Sequence, residues 1–321
     1  MHSVISVLSR IKNIVPELQN ALPNLTFHEV SNADLDKQFK ESHIIVADYD
    51  LLTPYIYSLP QAKWVQGTWA GVDGLMEKVT QTPSFSISRF TGRHFGALMS
   101  EYVVANIINF ERNAFEINQN QKMKQWKVDG KIEEHRAIFD LTVGILGLGN
   151  IGDRVARTLN YMGAVVIGYG RRPTLNLEDN PHISKYFSNH MLPQLLRECD
   201  YVVNTLPETQ ESKGLLNGDL LENCKDKQTV FINVGRGSII SEEALIRALE
   251  NKWISGAILD VFEREPLTSD SALWKMPNVV ITPHVSACSR SKDIAQLLKD
   301  NLEYYRKNLP IPATVDFNKG Y

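Results

Sequence analysis

What this chain lacks narrows its class before any motif is read. No apolar run approaches the ~18 residues of a membrane span, and residues 1–9 lack a basic stretch followed by a long apolar core. Neither a membrane span nor a secretory leader is expected, and the cytoplasm is the expected compartment. Cysteine is scarce. Cys199, Cys224 and Cys288 are odd in number and show no C-x-x-C spacing, which argues against a disulfide framework and gives no metal pattern. Excess charge is absent too: 34 basic and 37 acidic residues leave a net charge of −3. Such a field suits neither nucleic acid nor another polyanion as partner. Repeats, low-complexity tracts and long linkers are missing. What remains is an ordinary globular composition, 43% hydrophobic and 22% charged, in 321 residues, enough for two domains.

Segments of β type alternate with helix-type segments almost throughout, which predicts α/β architecture with parallel sheets. In the first hundred residues strands are expected at 3–8, 25–30, 43–49, 63–67 and 84–88. A second set begins at Leu141 and continues through 164–169, 201–206, 229–234, 255–260 and 279–281. Helices are expected at 93–109, crossing between domains, at 153–161, and at 241–251, where Ser241 caps and Glu242 and Glu243 give an acidic first turn. A last helix is expected at 291–307. The thirty or so residues after Ala287 are too few for a domain, so they should pack back on the N-terminal unit. The expected architecture is two doubly wound domains, a Rossmann dinucleotide-binding domain (95–289) inserted in a flavodoxin-like substrate domain (1–94 with 290–321).

The most informative residues lie mid-chain. A hydrophobic run reaches Gly147-Leu148-Gly149-Asn150-Ile151-Gly152, a G-x-G-x-x-G on the first of six expected strands, with helix-compatible sequence behind it. The first glycine permits the tight turn, the second lets backbone approach a pyrophosphate, and the third lets helix pack on strand. The helix N-terminus adds N–H groups and a positive dipole end. The next strand ends at Gly170-Arg171-Arg172. Units that bind NAD usually carry an acid there for the ribose 2′-hydroxyl. An arginine pair can instead hold a 2′-phosphate in charge-assisted bonds. NADP is therefore the expected cofactor, with NAD possible; the bland alternative is a solvated turn.

Three further islands follow expected strands. Val234-Gly235-Arg236-Gly237 sets an arginine between glycines, where a guanidinium can grip a carboxylate in bidentate fashion. Asp260-Val261-Phe262-Glu263-Arg264-Glu265-Pro266-Leu267 has three carboxylates in six residues, which could also be an exposed acidic turn. Thr282-Pro283-His284-Val285-Ser286-Ala287 holds the one histidine of eight that follows a β-branched run and is flanked by proline and small residues.

In that order, behind a glycine loop, these islands resemble the D-isomer-specific 2-hydroxyacid dehydrogenases. The resemblance covers most of the chain. It includes K-W-V-Q-G-T-W-A-G-V-D-G at 63–74, similar to the family's substrate loop, and Asn204-Thr205-Leu206-Pro207, similar to its loop over the adenosine. Within the family, Trp69-Ala70-Gly71-Val72-Asp73, the Gly170-Arg171-Arg172 turn and Trp126 look most like the NADP-dependent glyoxylate/hydroxypyruvate reductases. The resemblance implies reduction of small 2-oxo acids to D-2-hydroxy acids by hydride from NAD(P)H. Arg236 would hold the substrate carboxylate, His284 would protonate the carbonyl oxygen, and Glu265 would orient the imidazole. Trp69, Ala70 and Gly71 would complete the substrate set. Gly147, Gly149, Asn150, Ile151, Gly170, Arg171, Arg172, Leu206, Pro207, Val234, Asp260 and Ser286 would line the cofactor, Asp260 beside the nicotinamide carboxamide. The two-domain layout would give a cleft, and the segment between about 109 and 141 a homodimer. No regulatory domain is expected after Tyr321.

Three rival readings stand beside this one. A phosphoglycerate-dehydrogenase-like enzyme would use NAD. A formate-dehydrogenase-like enzyme would place glutamine where Glu265 stands. A non-catalytic NAD(P)-sensing corepressor shares fold and motifs, but carries disordered tails that this compact chain does not show. Substrate side-chain selectivity is expected near Tyr49 and Trp69.

Overall fold

Buried parallel strands need apolar side chains on both faces, and the hydrophobic runs of this chain become two such sheets. A computed structural model describes residues 4–31, 36–128 and 130–320. Ser3, expected to open the first strand, lies outside them. The chain divides into two compact units, Met1–Phe95 with Cys288–Tyr321, and Gly96–Ala287.

The first unit holds β1 (Ile5–Leu8), β2 (Phe27–Glu29), β3 (Ile44–Ala47), β4 (Trp64–Gly67) and β5 (Ser86–Ser88), all parallel, in the order β2-β1-β3-β4-β5. This is the flavodoxin-like order. Every residue of β1, β3 and β4 is buried. The C-terminal tail is part of this unit. Its helix, Ser291–Arg306, stacks Tyr305 on Trp64 with ring centroids 5.5 Å apart, and Asn301 Nδ2 donates to Gln66 Oε1 at 2.8 Å. Beyond the helix, Val315 N–H donates to Ile87 O at 2.8 Å.

The second unit holds β6 (Thr142–Leu146), β7 (Val165–Gly170), β8 (Lys185–Ser188), β9 (Tyr201–Asn204), β10 (Val230–Asn233), β11 (Gly256–Leu259) and β12 (Val279–Ile281). The order β12-β11-β10-β9-β6-β7-β8, again all parallel, is a doubly wound sheet with one strand added beyond the Rossmann six. The sequence reading counted six strands and missed β8. That strand sits at the sheet edge and buries only Phe187, so its run is too short and polar to register as a strand. Several expected strands also ran one or two residues too far. The surplus residues, Thr205 and Leu206 after β9, Val234 after β10 and Asp260 after β11, leave the ladder at its carboxyl end, where a doubly wound sheet places ligands.

At the opposite, amino-terminal edge of this sheet lies a partly buried ion network. Glu111, at the end of the helix Arg93–Glu111, accepts from Arg136 Nη2 at 2.7 Å and from the Tyr201 hydroxyl at 2.6 Å. Arg136 Nη1 reaches Asp200 at 2.8 Å. Burial alone would raise the Glu111 carboxyl, but these two donors and the Arg136 charge together hold it below its ordinary value. The network ties down a segment with exposed apolar side chains: Phe115, Met123, Trp126, Val128 and Phe139. Among the described residues no helix is long and apolar enough to cross a membrane. None of their His, Cys, Asp and Glu side chains cluster as a metal site.

Candidate active site

The glycine loop divides its work among three positions. Gly147 turns the chain out of β6 at φ +97°, a conformation that disfavours any side chain, and its N–H donates to Tyr169 O at 2.9 Å. Gly149, at the N-terminus of the helix Asn150–Tyr161, has nothing within 4 Å of where a Cβ would stand. A Cβ at Gly152 would lie 1.9 Å from Gly147 O, so only glycine lets this helix approach the loop. Asn150 and Ile151 form the first helical turn between them. Open space at the second glycine, set before an N-terminal turn of N–H groups, fits a dinucleotide pyrophosphate.

At the end of β7, Arg171 and Arg172 are both exposed, and Arg171 Nη1 stands 3.9 Å from Glu211. The turn is braced from β8, where the Tyr186 hydroxyl donates to Arg172 O at 3.0 Å. The same hydroxyl lies 2.9 Å from where a Cβ at Gly170 would stand. Sequence reasoning missed Tyr186 because it missed its strand. Across the sheet, Leu206 N–H donates to Asn204 Oδ1 at 3.0 Å, and Asn204 Nδ2 to Asn233 Oδ1 at 2.8 Å. Pro207 O accepts from Ser212 at 2.7 Å, and Val234 N–H from β10's end bonds Asn204 O at 3.2 Å. The two loops are thus stitched to each other.

Arg236, Glu265 and His284 follow three successive strands, β10, β11 and β12. Gly237 lets the Arg236 loop close on its neighbour, since a Cβ there would lie 1.9 Å from the Phe262 carbonyl carbon. Arg236 Nη1 donates to Gly235 O at 2.7 Å. His284 Nδ1 pairs with Glu265 Oε2 at 2.7 Å, while Glu265 Oε1 accepts from Phe262 N–H at 3.0 Å. With both carboxylate oxygens accepting, Nδ1 carries the proton, and Nε2 is the ring nitrogen Glu265 does not engage. The side chains of His284 and Glu265 are 53% and 35% exposed, open enough for a small reactant to reach.

His284 itself has φ +55°. Asp260 sets that backbone. Its carbonyl accepts from His284 N–H at 2.9 Å, and its carboxylate accepts from Val285 N–H at 2.8 Å, Ser286 N–H at 2.9 Å and Thr282 Oγ1 at 2.5 Å. The Tyr102 hydroxyl in turn lies 2.6 Å from Thr282 Oγ1. Asp260 is fully buried. Tyr102 is 180 residues from its partner, and no local sequence signal could have found it.

In the first unit Trp69 leaves β4 with its carbonyl accepting from Phe90 N–H at 2.9 Å and from the buried Tyr49 hydroxyl at 3.2 Å. Tyr49 also packs edge-on against the Trp69 indole, ring centroids 6.1 Å apart. Burial raises the Tyr49 phenol well above its ordinary value. Ala70 and Gly71 follow as a half-buried bend.

Residues 104–286 match the NAD binding domain of the D-isomer specific 2-hydroxyacid dehydrogenases. The chain is 30% identical to glyoxylate/hydroxypyruvate reductase A of Escherichia fergusonii, over 95% of this chain and 94% of that one. Among solved structures it resembles a D-isomer specific 2-hydroxyacid dehydrogenase of Xanthobacter autotrophicus in complex with NADPH, with TM-score 0.85, 27% identity and full coverage of both chains. It also resembles an NADPH-dependent glyoxylate/hydroxypyruvate reductase of Sinorhizobium meliloti bound to NADP and sulfate, with TM-score 0.83, 28% identity, and 99% and 100% of the two chains covered.

Proposed function

Because the chain belongs to the D-isomer specific 2-hydroxyacid dehydrogenase family, we propose that it reduces small 2-oxo acids of the glyoxylate/hydroxypyruvate type to D-2-hydroxy acids. The reductant is NAD(P)H, with NADPH preferred. When bound, the nicotinamide supplies a hydride to the carbonyl carbon. The observation that carries the reading is the His284–Glu265 pair, after the two strands next to the one that Arg236 follows.

His284 donates its Nε2 proton to the carbonyl oxygen as the carbonyl carbon is reduced. Glu265 holds Nδ1–H and fixes the ring plane of the general acid. Arg236 grips the substrate carboxylate and polarises the neighbouring carbonyl. Gly147, Gly149, Asn150 and Ile151 receive the pyrophosphate, and Leu206, Pro207 and Val234 line the adenosine and nicotinamide path. Arg171 and Arg172 pair with the 2′-phosphate at a position where an acid is absent and Gly170 stands instead. The exposed Phe115, Met123, Trp126, Val128 and Phe139 support a second copy of this chain as partner. The cytoplasm remains the proposed compartment.

The test is a panel of small 2-oxo acids assayed with NADPH and with NADH, for wild type and His284→Ala. Turnover of glyoxylate and hydroxypyruvate should fall by roughly 10²–10⁴ in the variant, the size of general acid–base catalysis. Cofactor affinity should survive. Near-normal turnover by His284→Ala on every active substrate would overturn the assignment.

A further inference from the structure

We propose that Tyr102 and Thr282 are positioning residues for His284, acting through the buried carboxylate of Asp260. The inference rests on the reading of His284 as the acid and concerns what holds that acid in place. A histidine at φ +55° occupies a sparsely populated conformation that persists only where its surroundings over-determine it. Here the constraint comes mainly from Asp260, with Thr282 O accepting a second, longer bond from His284 N–H at 3.1 Å. Asp260 fixes the amide of His284 through its carbonyl and the next two amides through its carboxylate. The carboxylate is therefore the peg on which the loop 284–286 hangs, and the peg itself must not rotate.

Two hydroxyls hold it. Both Asp260 oxygens already accept backbone N–H groups, so Thr282 Oγ1 donates its proton to Asp260 Oδ1, at 2.5 Å. The Thr282 oxygen is then an acceptor toward Tyr102, whose hydroxyl donates at 2.6 Å. The direction of the chain is fixed from end to end: Tyr102 O–H to Thr282, Thr282 O–H to Asp260. Burial pushes the Tyr102 phenol up to about 12, so it remains a donor throughout the working range. Tyr102 stands in the middle of the 19-residue helix Arg93–Glu111, a rigid mount by comparison with a loop. Thr282 is anchored separately, its N–H donating to Leu259 O at 2.9 Å, in continuation of the β11–β12 ladder. The imidazole is thus referenced to a helix and to the sheet rather than to its own flexible loop. Displacements of about 1 Å at a reacting group can cost about 10² in rate, which gives such referencing a catalytic consequence.

The experiment compares Tyr102→Phe, Thr282→Val, Thr282→Ser and the Phe/Val double variant, each with NADPH and one active 2-oxo acid. Tyr102→Phe removes one neutral donor, and kcat should fall by about fivefold, the net worth of an ordinary hydrogen bond. Thr282→Val removes the donor to a buried carboxylate and should cost about tenfold or more. KM for substrate and cofactor should stay near wild type in both. Thr282→Ser keeps the hydroxyl and should restore kcat. The double variant should be no slower than Thr282→Val, because a chain cut at its second link gains nothing from loss of the first. Wild-type kcat in both single variants, or multiplied losses in the double, would overturn the inference. So would a lowered Tm with unchanged kcat per folded enzyme, which marks plain structural support. His284→Ala is the parallel control. If it is inactive while Tyr102→Phe and Thr282→Val run at full speed, the positioning idea alone fails; if it keeps turnover, the acid assignment fails and takes this one with it.

Discussion

At the β6–β7 end of the second sheet the chain makes a binding place by leaving side chains out. At the β11–β12 end it makes one by spending a buried side chain on backbone. Gly147, Gly149 and Gly152 give a turn, an opening and a close approach within six consecutive residues. His284 depends on Asp260, Thr282 and Tyr102, drawn from three separate elements. The first arrangement suits a ligand recognised through phosphate oxygens, which backbone N–H groups satisfy. The second suits a proton donor, whose ring must be aimed. A local motif can encode an absence; aiming needs the tertiary fold.

The largest expected effect separates the glycines from one another. Gly152→Ala drives a methyl into Gly147 O, an overpacking worth about 1–3 kcal/mol or more, so Tm should drop by several degrees and cofactor binding should go with it. Gly149→Ala meets no atom within 4 Å. Its Tm should hold, while NADPH affinity falls by about tenfold or more, because the methyl displaces a charge-assisted phosphate contact. Calorimetry and a fluorescence titration read the two quantities. Equal Tm losses would show that the opening at Gly149 is packed in solution, and would break the distinction.

A smaller effect sharpens the same end of the sheet. Replacing Gly170 with Asp and Arg171 with Ser should turn the preference from NADPH toward NADH, but only if Tyr186→Phe is added. A Cβ at 170 would crowd the Tyr186 hydroxyl. Loss of one charge-assisted phosphate contact is worth about 1.5–3 kcal/mol, so the ratio of kcat/KM for the two cofactors should move by tenfold or more. Salt should weaken wild-type NADPH binding more steeply than NADH binding, since the contacts are exposed. A wild-type ratio favouring NADH would reduce the arginines to a solvated turn.

The smallest effect lies at the amino-terminal edge of the sheet, at Glu111. Glu111 titrates at 4.5 when unperturbed and lower in the fold. A depressed carboxyl contributes stability that is complete above the unfolded value and is lost as pH falls through the folded one. Tm should therefore decline below about pH 4.5 partly through Glu111, and Arg136→Met should remove that share of the decline. Because Arg136 is 40% exposed, solvent screening limits the effect to about 1 kcal/mol. A Tm series from pH 7 to pH 3.5 for both proteins decides it.

What could be read in advance follows the same division. The alternation of strands and helices, the glycine loop, and the places of Arg236, Glu265 and His284 after three successive strands were legible because each is a local pattern or a short island after a hydrophobic run. The strand Lys185–Ser188 was not, since an edge strand with one buried residue has almost no apolar signature. Tyr186 was lost with it. Asp260 was legible as the first carboxylate of the acidic island, but its use as a backbone anchor depends on Val285 and Ser286, 25 and 26 residues on. Tyr102 read only as one more position on an apolar helix.

The left-handed backbone at His284 has a consequence for anyone who would breed or engineer this protein. Glycine takes that conformation freely, while a residue with a side chain holds it at a strain of about 1–3 kcal/mol. Selection for heat resistance alone would thus drift toward glycine at 284 and reward sturdy, inert descendants. Heat tolerance and turnover pull in opposite directions at this one codon, so any screen for robust variants has to carry an activity gate.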